Sequence, residues 1–495
     1  MSIITIIENH NPKQIFFNPD ENKTLAAILS DNNILLTLTC GGNGFCGKCT
    51  VNVNGVPQKA CKYIPTGDII VYLDSKEPVS SSVIPAEKIL IAGQKDLPAD
   101  NNKTCNDVSV AIDIGSTSIS LALVSHSNTN EAPLDLSTIL NPTFEYGADI
   151  LSRAQASING SRDAMAALLR NRLNNEINKL LTRNHLSENN IKSVYIACNL
   201  IMTHILLALD CSQLVSFPFK SAEYHCSNMY HGIPVYIIPA FSPYVGGDIV
   251  SGIYYLNPPK DSAYIFLDLG TNAEIVVSNK NGEMFCSSAA AGPAFEGAGI
   301  SCGQAYVKGA INSVTIANMV SYKTIGNKIP TGICGSGILD TYAGLIANHI
   351  VDENKTLIDK YIDSGFTIAP SLKGPIAISQ KDIRQIQLAV SAIASGIQIL
   401  LKHARLEISD IDKVYISGSF GKSLKLETIK TIGILPTALA DASIIEFTGN
   451  TSLLGAIHSA IHGTIPDNYA SLIKRCTEIE LANDSDFNVI FINNL

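Results

Sequence analysis

The chain has 495 residues, of which 46% are hydrophobic and 16% charged, and its formal net charge is −9. This composition excludes an intrinsically disordered chain and predicts roughly two to four folded domains. The negative charge and the lack of a basic run argue against a nucleic-acid partner. The N-terminus lacks a secretory pattern and no apolar run reaches the ~18 residues of a membrane span, so we expect a cytoplasmic protein with no membrane partner.

The N-terminal part predicts a small α+β domain. Residues 3–8 and 14–17 predict a hairpin, residues 24–31 a short helix, and residues 50–53 and 69–73 two further strands. This order of elements, with three cysteines (Cys40, Cys46 and Cys49) on a loop after the helix and a fourth (Cys61) nearby, resembles the ferredoxin fold.

Four cysteines with glycines between them follow the predicted helix. Cys40, Cys46 and Cys49 have the spacing C-x5-C-x2-C, and Cys61 follows eleven residues later. An iron–sulfur cluster needs four converging thiolates, and glycines let a loop wrap closely around it. A zinc ribbon normally pairs two C-x2-C units, and only one occurs here. The pattern therefore favours a [2Fe–2S] cluster over zinc or over plain buried thiols.

Residues 108–124 read as a strand, a turn and a second strand. The first strand ends at Asp113, and Gly115, Ser116 and Thr117 form the turn. Backbone amides and hydroxyl groups in such a turn can bind a phosphate, and the aspartate can hold Mg²⁺ directly or through water.

The same pattern recurs 155 residues later. Asp268 ends a strand, and Gly270, Thr271 and Asn272 form the turn before the next strand. Two matching units predict a duplicated fold whose two lobes hold one polyphosphate between their turns. Asp113 and Asp268 are therefore the candidate magnesium and catalytic carboxylates.

Two glycine-rich turns are candidates for contact with the nucleoside. Gly418, Ser419 and Gly421 follow a predicted strand at 413–417, and Gly335 opens a predicted helix. The second turn could instead serve only close helix packing. The order of these pieces resembles the superfamily of acetate and sugar kinases, heat-shock chaperones and actin, over residues 108–495. This resemblance implies a two-lobed α/β, ribonuclease-H-like ATPase domain that binds ATP and Mg²⁺.

Asp248 lies shortly before the second phosphate turn. Sugar kinases of the superfamily carry a Gly-Asp pair at this place, and its carboxylate is catalytic. The resemblance therefore makes Asp248 a catalytic candidate, although the same residue could simply cap a helix.

The small-residue segment 289–300 lets something large approach the backbone. It resembles a signature of the reductive activases of corrinoid-dependent enzymes, and segments 146–149, 245–248 and 332–337 fit the same family. The resemblance implies a loop that faces a corrinoid. Its residues are Gly292, Pro293, Phe295, Glu296 and Gly297.

The family resemblance implies an enzyme that uses ATP to drive one-electron reduction of Co(II) to Co(I) in a corrinoid protein of a methyltransferase system. A low-potential external electron donor would be its second partner, and a homodimer stays open. Members of the family often carry an extra domain between the ferredoxin domain and the ATPase, which this chain lacks. The expected organisation is a ferredoxin-type domain (1–75), a linker (76–107), and ATPase lobes 1 (108–255) and 2 (256–495).

Two other functions stay open at this point. An ATP-coupled activator of a radical dehydratase is one, although such activators usually hold a [4Fe–4S] cluster between subunits. A redox sensor with an actin-like body and no enzymatic activity is the other. The sequence does not identify the client or the electron donor, and it does not decide whether ATP binding or ATP hydrolysis drives reduction.

Overall fold

The fold is described from a computed structural model of the chain. It covers all residues except 1, 9–10, 22, 33, 35, 37–48, 74–106, 127–131, 148, 217–218, 222–231, 271, 298, 305, 373, 419–423 and 440–442. The linker predicted at 76–107 therefore lies outside the described residues, apart from its last residue.

The N-terminal domain is a five-stranded mixed sheet with one helix packed on it. Its elements are β1 (Ser2–Glu8), β2 (Asn11–Phe17), α1 (Leu25–Asp31), β3 (Thr50–Val53), β4 (Val56–Lys59) and β5 (Ile69–Leu73). The sheet order is β2-β1-β5-β3-β4. Ile4, Ile6 and Val71 alternate with outward-facing residues and pack against Leu25 and Leu29 of α1. The α+β prediction for this domain is confirmed.

Lobe 1 is built on a second five-stranded sheet. Its elements are β6 (Val108–Ile114), β7 (Ser118–Ser125), β8 (Asp135–Leu140), α2 (Ile150–Ala156), α3 (Arg162–Arg183), β9 (Ile191–Cys198), α4 (Leu200–Leu207), β10 (Val235–Ile237) and α5 (Gly247–Leu256). The sheet order is β10-β9-β6-β7-β8, with antiparallel pairing from β6 to β8 and parallel pairing from β6 to β10.

Lobe 2 repeats this topology and adds to it. Its strands are β11 (Tyr264–Leu269), β12 (Ala273–Ser278), β13 (Met284–Ala289), β14 (Ala310–Ile316), β15 (Val320–Thr324), β16 (Gly332–Ile333), β17 (Phe366–Ala369), β18 (Ile376–Ile378), β19 (Lys413–Ser417), β20 (Ile445–Gly449) and β21 (Cys476–Glu478). Its helices are α6 (Gly335–Ala347), α7 (Asp359–Ile362), α8 (Gln380–Ala404), α9 (Leu426–Ile432), α10 (Thr451–His462), α11 (Ala470–Ile473) and α12 (Phe487–Asn493).

The main sheet of lobe 2 has the order β20-β19-β11-β12-β13-β21. Five of these strands therefore correspond, in order and in direction, to the five strands of lobe 1, with β11 in the place of β6. The predicted duplication and the actin-like fold class are confirmed.

Helices α5 and α10 cross between the two sheets and join the lobes. α10 belongs to the C-terminal part of the chain, yet it packs on α5 and on strands β6, β7 and β9 of lobe 1. A side chain at Gly455 would lie 2.1 Å from the carbonyl oxygen of Ser251, and one at Gly252 would lie 2.5 Å from Thr451 Oγ1. The two helices thus approach closely only because these positions carry glycine.

Helix α8 is long and apolar enough to pass a length-and-composition test for a membrane span, the one helix in the described part of the chain that does. However, 78% of its apolar stretch is buried inside the protein, where it packs against β12, β13 and α12. Ser379 and Asp382 form a capping box at its N-terminus. The packing and the cap are those of a core helix of a globular domain.

Candidate functional site

The β3–β4 hairpin brings two of the predicted cluster cysteines together. Thr50 faces Lys59 in the strand register, so Cys49 and Cys61 flank the open end of the hairpin. The amide of Ala60 donates a hydrogen bond to the carbonyl of Cys49 at 3.1 Å. Both cysteines are buried, and their Sγ atoms lie 3.2 Å apart.

This sulfur–sulfur distance fits two ligands of one metal ion better than a disulfide. A disulfide bond is about 2.05 Å long. A tetrahedral metal with metal–sulfur bonds of about 2.3 Å holds its sulfur ligands roughly 3.8 Å apart. The pair at 3.2 Å is therefore nearly in place and needs to open by only about 0.6 Å to hold such a metal. Cys40 and Cys46 lie outside the described residues, so their part in the cluster stays a prediction.

The first phosphate turn joins β6 to β7, and hydrogen bonds from Asn141 hold its backbone in place. The amide of Gly115 donates to the carbonyl of Ser118, and a side chain at Gly115 would lie 2.9 Å from that oxygen. Asn141 is buried, and its Nδ2 donates to the carbonyl of Gly115 at 2.8 Å while its amide donates to the carbonyl of Thr117 at 3.0 Å. These bonds occupy carbonyl oxygens that would otherwise repel a phosphate.

Asp113, at the end of β6, is held by the N-terminus of α10. Its Oδ2 accepts a hydrogen bond from Asn450 Nδ2 and its Oδ1 accepts one from Ser452 Oγ, both at 2.8 Å. Asn450 also caps α10, because its Oδ1 accepts from the amide of Leu453. Burial raises the pKa of Asp113 above its ordinary value, while the two hydrogen bonds oppose that rise. The carboxylate of lobe 1 is thus oriented by the helix that crosses from the other lobe.

Asp268 occupies the same place in β11 of lobe 2. Its Oδ2 accepts a hydrogen bond from Ser417 Oγ at 3.1 Å. Burial, assisted by the negative charge of Asp113, raises the pKa of Asp268 to about 6. Gly418 has φ +115°, and a side chain there would lie 2.6 Å from the carbonyl of Leu269, so this glycine allows β19 to approach β11. Its predicted contact with the nucleoside stays a prediction.

Two consecutive glycines place Asp248 at the carboxyl ends of the lobe 1 strands. A side chain at Gly246 would lie 2.5 Å from Asn199 Cα, and one at Gly247 would lie 2.1 Å from the carbonyl oxygen of Ile238. The backbone before Asp248 therefore packs directly against the segments that follow β9 and β10.

The Asp248 carboxylate lies in the first turn of α5, and the cap of that helix is Gly246. Asp248 Oδ1 accepts a hydrogen bond from the amide of Ile249 at 3.0 Å. Burial, with the negative charges of Asp268 and Asp113 adding to it, raises the pKa of Asp248 to about 7. The cap of α5 is thus Gly246 rather than Asp248, and the Asp248 carboxylate is within range of the charges of Asp113 and Asp268.

These carboxylates fit Mg²⁺ bound through water better than a metal bound only by protein ligands. In the described part of the chain, no group of three His, Cys, Asp or Glu side chains converges closely enough to hold a metal ion. Mg²⁺ usually keeps several waters and takes one or two carboxylates together with substrate phosphates. Asp113 and Asp268 match that donor set.

Glu274 is a fourth carboxylate at this site, and the sequence analysis missed it. It lies on β12 directly opposite Asp268 on β11, so the two side chains point to the same face of the sheet. Ser288 Oγ donates to Glu274 Oε1 at 3.4 Å. Burial, followed by the charges of Asp248 and Asp268, raises the pKa of Glu274 well above its ordinary value. Strand alternation across the short turn after Asp268 was the signal that could have identified it.

Six of the residues predicted to bind ATP lie on the two phosphate turns or on the turn after β19, and one opens α6. They are Gly115, Ser116, Thr117, Gly270, Asn272, Gly418 and Gly335, in chain order within each turn. Gly270 closes the second turn, since its amide donates to the carbonyl of Asn272 at 3.0 Å. Thr271, Ser419 and Gly421 lie outside the described residues.

The glycine-rich start of α6 has a packing role. A side chain at Gly337 would lie 2.4 Å from the carbonyl oxygen of Ile311 on β14. This close approach supports the packing alternative for Gly337. The nucleotide contact predicted for Gly335, the first residue of α6, stays a prediction.

The structure of the 289–297 loop contradicts part of the predicted corrinoid-facing surface, namely the part that includes Phe295. Phe295 is fully buried and belongs to the core of lobe 2, so its side chain does not face a partner. A side chain at Gly297 would lie 2.6 Å from the carbonyl oxygen of Gln304, so the segment that approaches this glycine is part of the same chain. Gly292 has φ +74° and open space beside it, while Pro293 begins the 3₁₀ turn that ends at Glu296.

Glu296 points to the ATP site rather than away from it. Its Oε2 accepts a hydrogen bond from Thr117 Oγ1 at 2.9 Å. This bond joins the 289–297 loop of lobe 2 to the first phosphate turn of lobe 1.

Three family models match the chain and together cover most of it. Residues 8–67 match the 2Fe-2S iron-sulfur cluster binding domain, residues 108–258 match the RACo middle region, and residues 262–495 match the C-terminal domain of RACo, the ASKHA domain. The first match covers Cys40, Cys46, Cys49 and Cys61.

Curated proteins and a solved structure agree with these matches. The chain is 26% identical to the corrinoid activation enzyme RamQ of Eubacterium limosum, over 94% of this chain and 95% of that protein. It is 23% identical to the [Co(II) methylated amine-specific corrinoid protein] reductase of Methanosarcina barkeri, over 55% of this chain and 53% of that protein. The structure of a reductive activator for a corrinoid, iron–sulfur protein has the same fold, with a TM-score of 0.69, 24% identity, and coverage of 99% of this chain and 98% of that one.

The cluster hairpin, the duplicated ATPase lobes with paired aspartates, and the consecutive family matches lead to one assignment. The chain belongs to the RACo family, the reductive activases of corrinoid-dependent enzymes.

Proposed function

We propose that this protein uses ATP to drive the one-electron reduction of a corrinoid protein from Co(II) to Co(I). The observation that carries the proposal is the presence, in one chain, of a buried thiol pair of the cluster type and of two facing aspartate turns that suit Mg-ATP. The two curated relatives, a corrinoid activation enzyme and a corrinoid protein reductase, support it.

Asp113 and Asp268 hold the Mg²⁺ of ATP from opposite lobes. The amides and hydroxyl groups of the two turns bind the phosphates, so ATP binding brings the lobes into one defined arrangement. Asp248 orients the attacking water and accepts its proton, which a carboxylate with a pKa raised to about 7 can do at neutral pH.

A [2Fe–2S] cluster held by Cys40, Cys46, Cys49 and Cys61 would supply one-electron carrier chemistry. The balance of the reaction is one electron from a low-potential donor to Co(II). Each tenfold shift of a one-electron couple corresponds to about 59 mV. An uphill transfer therefore needs a second source of free energy. Reversing a two-state ratio from 1:99 to 99:1 takes differential binding of about 5.5 kcal/mol. ATP can supply this only by changing which state of the client complex the activase binds.

We further propose that the client belongs to a methyltransferase system and meets the protein near the open side of Gly292. The support is the space beside this glycine and the link from the same loop to the ATP site. A low-potential external donor and a cytoplasmic, reducing location are parts of the same proposal.

Absorption spectroscopy tests the function directly. The anaerobic protein, an electron donor such as Ti(III) citrate and a Co(II) corrinoid protein are mixed with and without Mg-ATP. We expect the Co(I) spectrum to form in many turnovers only with ATP. Reduction that proceeds equally without nucleotide, or fails with it for every corrinoid protein encoded near this gene, would overturn the proposal.

A further inference from the structure

We propose that Glu296 exchanges its hydrogen-bond donor from Thr117 to Arg153 when Mg-ATP binds, and so transmits the presence of nucleotide to the 289–297 loop. The proposal rests on the proposed function only in taking Mg-ATP as the ligand of the phosphate turns.

The first step is competition for one hydroxyl group. Thr117 lies on the first phosphate turn, and its Oγ1–H is donated to Glu296 Oε2 at 2.9 Å. A hydroxyl group has one hydrogen to donate, so it cannot donate to a phosphate oxygen and to Glu296 at the same time. A bound phosphate also repels the Glu296 carboxylate. Nucleotide binding therefore takes the Thr117 hydroxyl away from Glu296.

The second step involves a buried cation in lobe 1, the Arg153 guanidinium, whose hydrogen bonds are incomplete among the described residues. Arg153 of α2 is fully buried. Its Nε donates to the carbonyl of Gly147 at 2.9 Å and its Nη1 lies 3.7 Å from Met202 Sδ, but Nη2 has no hydrogen-bond partner among the described residues. A buried, incompletely bonded guanidinium is costly, so it strongly favours a carboxylate that can reach it.

Two carboxylates, those of Asp149 and Glu296, act electrostatically on Arg153, and Asp149 already accepts hydrogen bonds from another residue. Both oxygens of Asp149 accept hydrogen bonds from Ser152, one from its amide at 2.8 Å and one from its hydroxyl at 2.7 Å. Burial lowers the pKa of Arg153 to about 10, while the charges of Asp149 and Glu296 oppose that shift. Arg153 Nη1 and Asn141 Nδ2 both contact Met202 Sδ, at 3.7 and 3.9 Å. The amide of Asn141 also donates to the carbonyl of Thr117, so the guanidinium lies close to the turn that Glu296 contacts.

The third step is the connection from Glu296 to the loop. Glu296 ends a 3₁₀ turn, Pro293–Glu296, that packs against α6 and α8 and is bounded by Gly292 and Gly297 at φ +74° and +82°. Phe295 anchors the turn in the core. A movement of Glu296 is therefore expected to alter the backbone conformation of the turn, with Phe295 as its fixed point. It would not be confined to a surface side chain.

Double-mutant cycles on nucleotide affinity test the exchange without any corrinoid protein. The probe is Mg²⁺ with a non-hydrolysable ATP analogue, measured by calorimetry. We expect Glu296→Ala to tighten binding by about three- to tenfold, because it removes the competitor for Thr117. Arg153→Met should weaken binding by about the same factor in the wild type and have no effect in the Glu296→Ala background. Glu353→Gln, at an exposed glutamate of lobe 2, is the matched control and should bind as the wild type does.

If Arg153 acted only by attracting ATP, Arg153→Met would weaken nucleotide binding equally in the wild type and in the Glu296→Ala background. That result would overturn the exchange. Weaker binding by Glu296→Ala would overturn it as well. Hydrogen–deuterium exchange of peptides covering 289–297 provides a second measurement. The analogue should change their exchange rate at least threefold in the wild type but not in Glu296→Gln at saturating nucleotide, and an equal change in both proteins would contradict the proposal. Failure of the wild type to bind the analogue at all would instead refute the proposed function.

Discussion

The two phosphate turns have the same topology but differ in what holds their aspartates. Among the described residues, Asp113 accepts two hydrogen bonds, from Asn450 and Ser452, whereas Asp268 accepts one, from Ser417. The cross-strand neighbours differ as well, because the one in lobe 2 is acidic and the one in lobe 1 is not. The duplication therefore produced two turns of one shape and of unequal charge.

The residue opposite each aspartate shows the difference most clearly. Asp113 faces Ser120 on the neighbouring strand, whereas Asp268 faces Glu274. Because Ser120 suffices for an equivalent hairpin, the fold itself does not require a carboxylate at Glu274. Placing like charges opposite each other costs stability. We infer that lobe 1 supplies a fixed carboxylate and that lobe 2 concentrates the negative charge that Mg²⁺ neutralises.

Removal of either aspartate should give the largest effect. Asp113→Ala and Asp268→Ala should each lower ATP hydrolysis by about 10³-fold or more, because metal and phosphate positioning account for most of phosphoryl-transfer catalysis. Their effects on stability should differ. Asp113→Ala leaves two donors unpaired and should cost about 1–3 kcal/mol, whereas Asp268→Ala also relieves repulsion and should cost less. Phosphate release and denaturant unfolding measure the two effects, and equal losses of stability would contradict the comparison.

Asp248→Asn should lower ATP turnover by about 10²–10⁴-fold, the usual range for loss of a general base. The cap of α5 is Gly246, so the fold and nucleotide binding should survive the change. Steady-state hydrolysis and analogue binding are measured side by side. Turnover at the wild-type rate would show that Asp248 has no catalytic role.

Glu274→Ser places the lobe 1 residue in lobe 2. We expect ATP hydrolysis to fall by about tenfold and the Mg²⁺ concentration for half-maximal rate to rise, since one carboxylate would be lost from the metal's surroundings. Ser120→Ala is the control in lobe 1, where the hydroxyl contacts Thr138 at 3.3 Å. A change in rate without a change in Mg²⁺ dependence would show that Glu274 acts elsewhere.

The smallest effect concerns stability against pH in metal-free buffer. The pKa of Asp248 is raised from an ordinary value near 4 to about 7, so the folded state binds the extra proton between these limits and loses stability as the pH rises through them. Asp248→Asn lacks this loss. It should match the wild type near pH 4 and exceed it at pH 8 by a few kcal/mol at most, because one pKa unit is about 1.4 kcal/mol. Thermal unfolding with EDTA tests this, and a variant less stable at pH 8 would contradict it.

Local patterns in the sequence predicted those structural features that depend only on residues close together in the chain. The N-terminal hairpin, the helix over residues 24–31 and the two aspartate turns were all predicted, since each is specified within a few positions. Glu274, Arg153 and the burial of Phe295 were missed or misassigned. Each of these depends on strand register or on contact between segments far apart in the chain, which no local pattern records.

The central claim is that ATP held between these unequal turns drives the reduction, and Asp248→Asn tests it most directly. The variant is mixed anaerobically with donor, Mg-ATP and an excess of Co(II) corrinoid protein, and Co(I) is followed by absorbance against phosphate release. We predict at most one Co(I) per activase, formed as a single burst if ATP binding drives the transfer and not at all if hydrolysis does. Sustained multiple-turnover Co(I) formation by a variant that does not hydrolyse ATP would contradict the account.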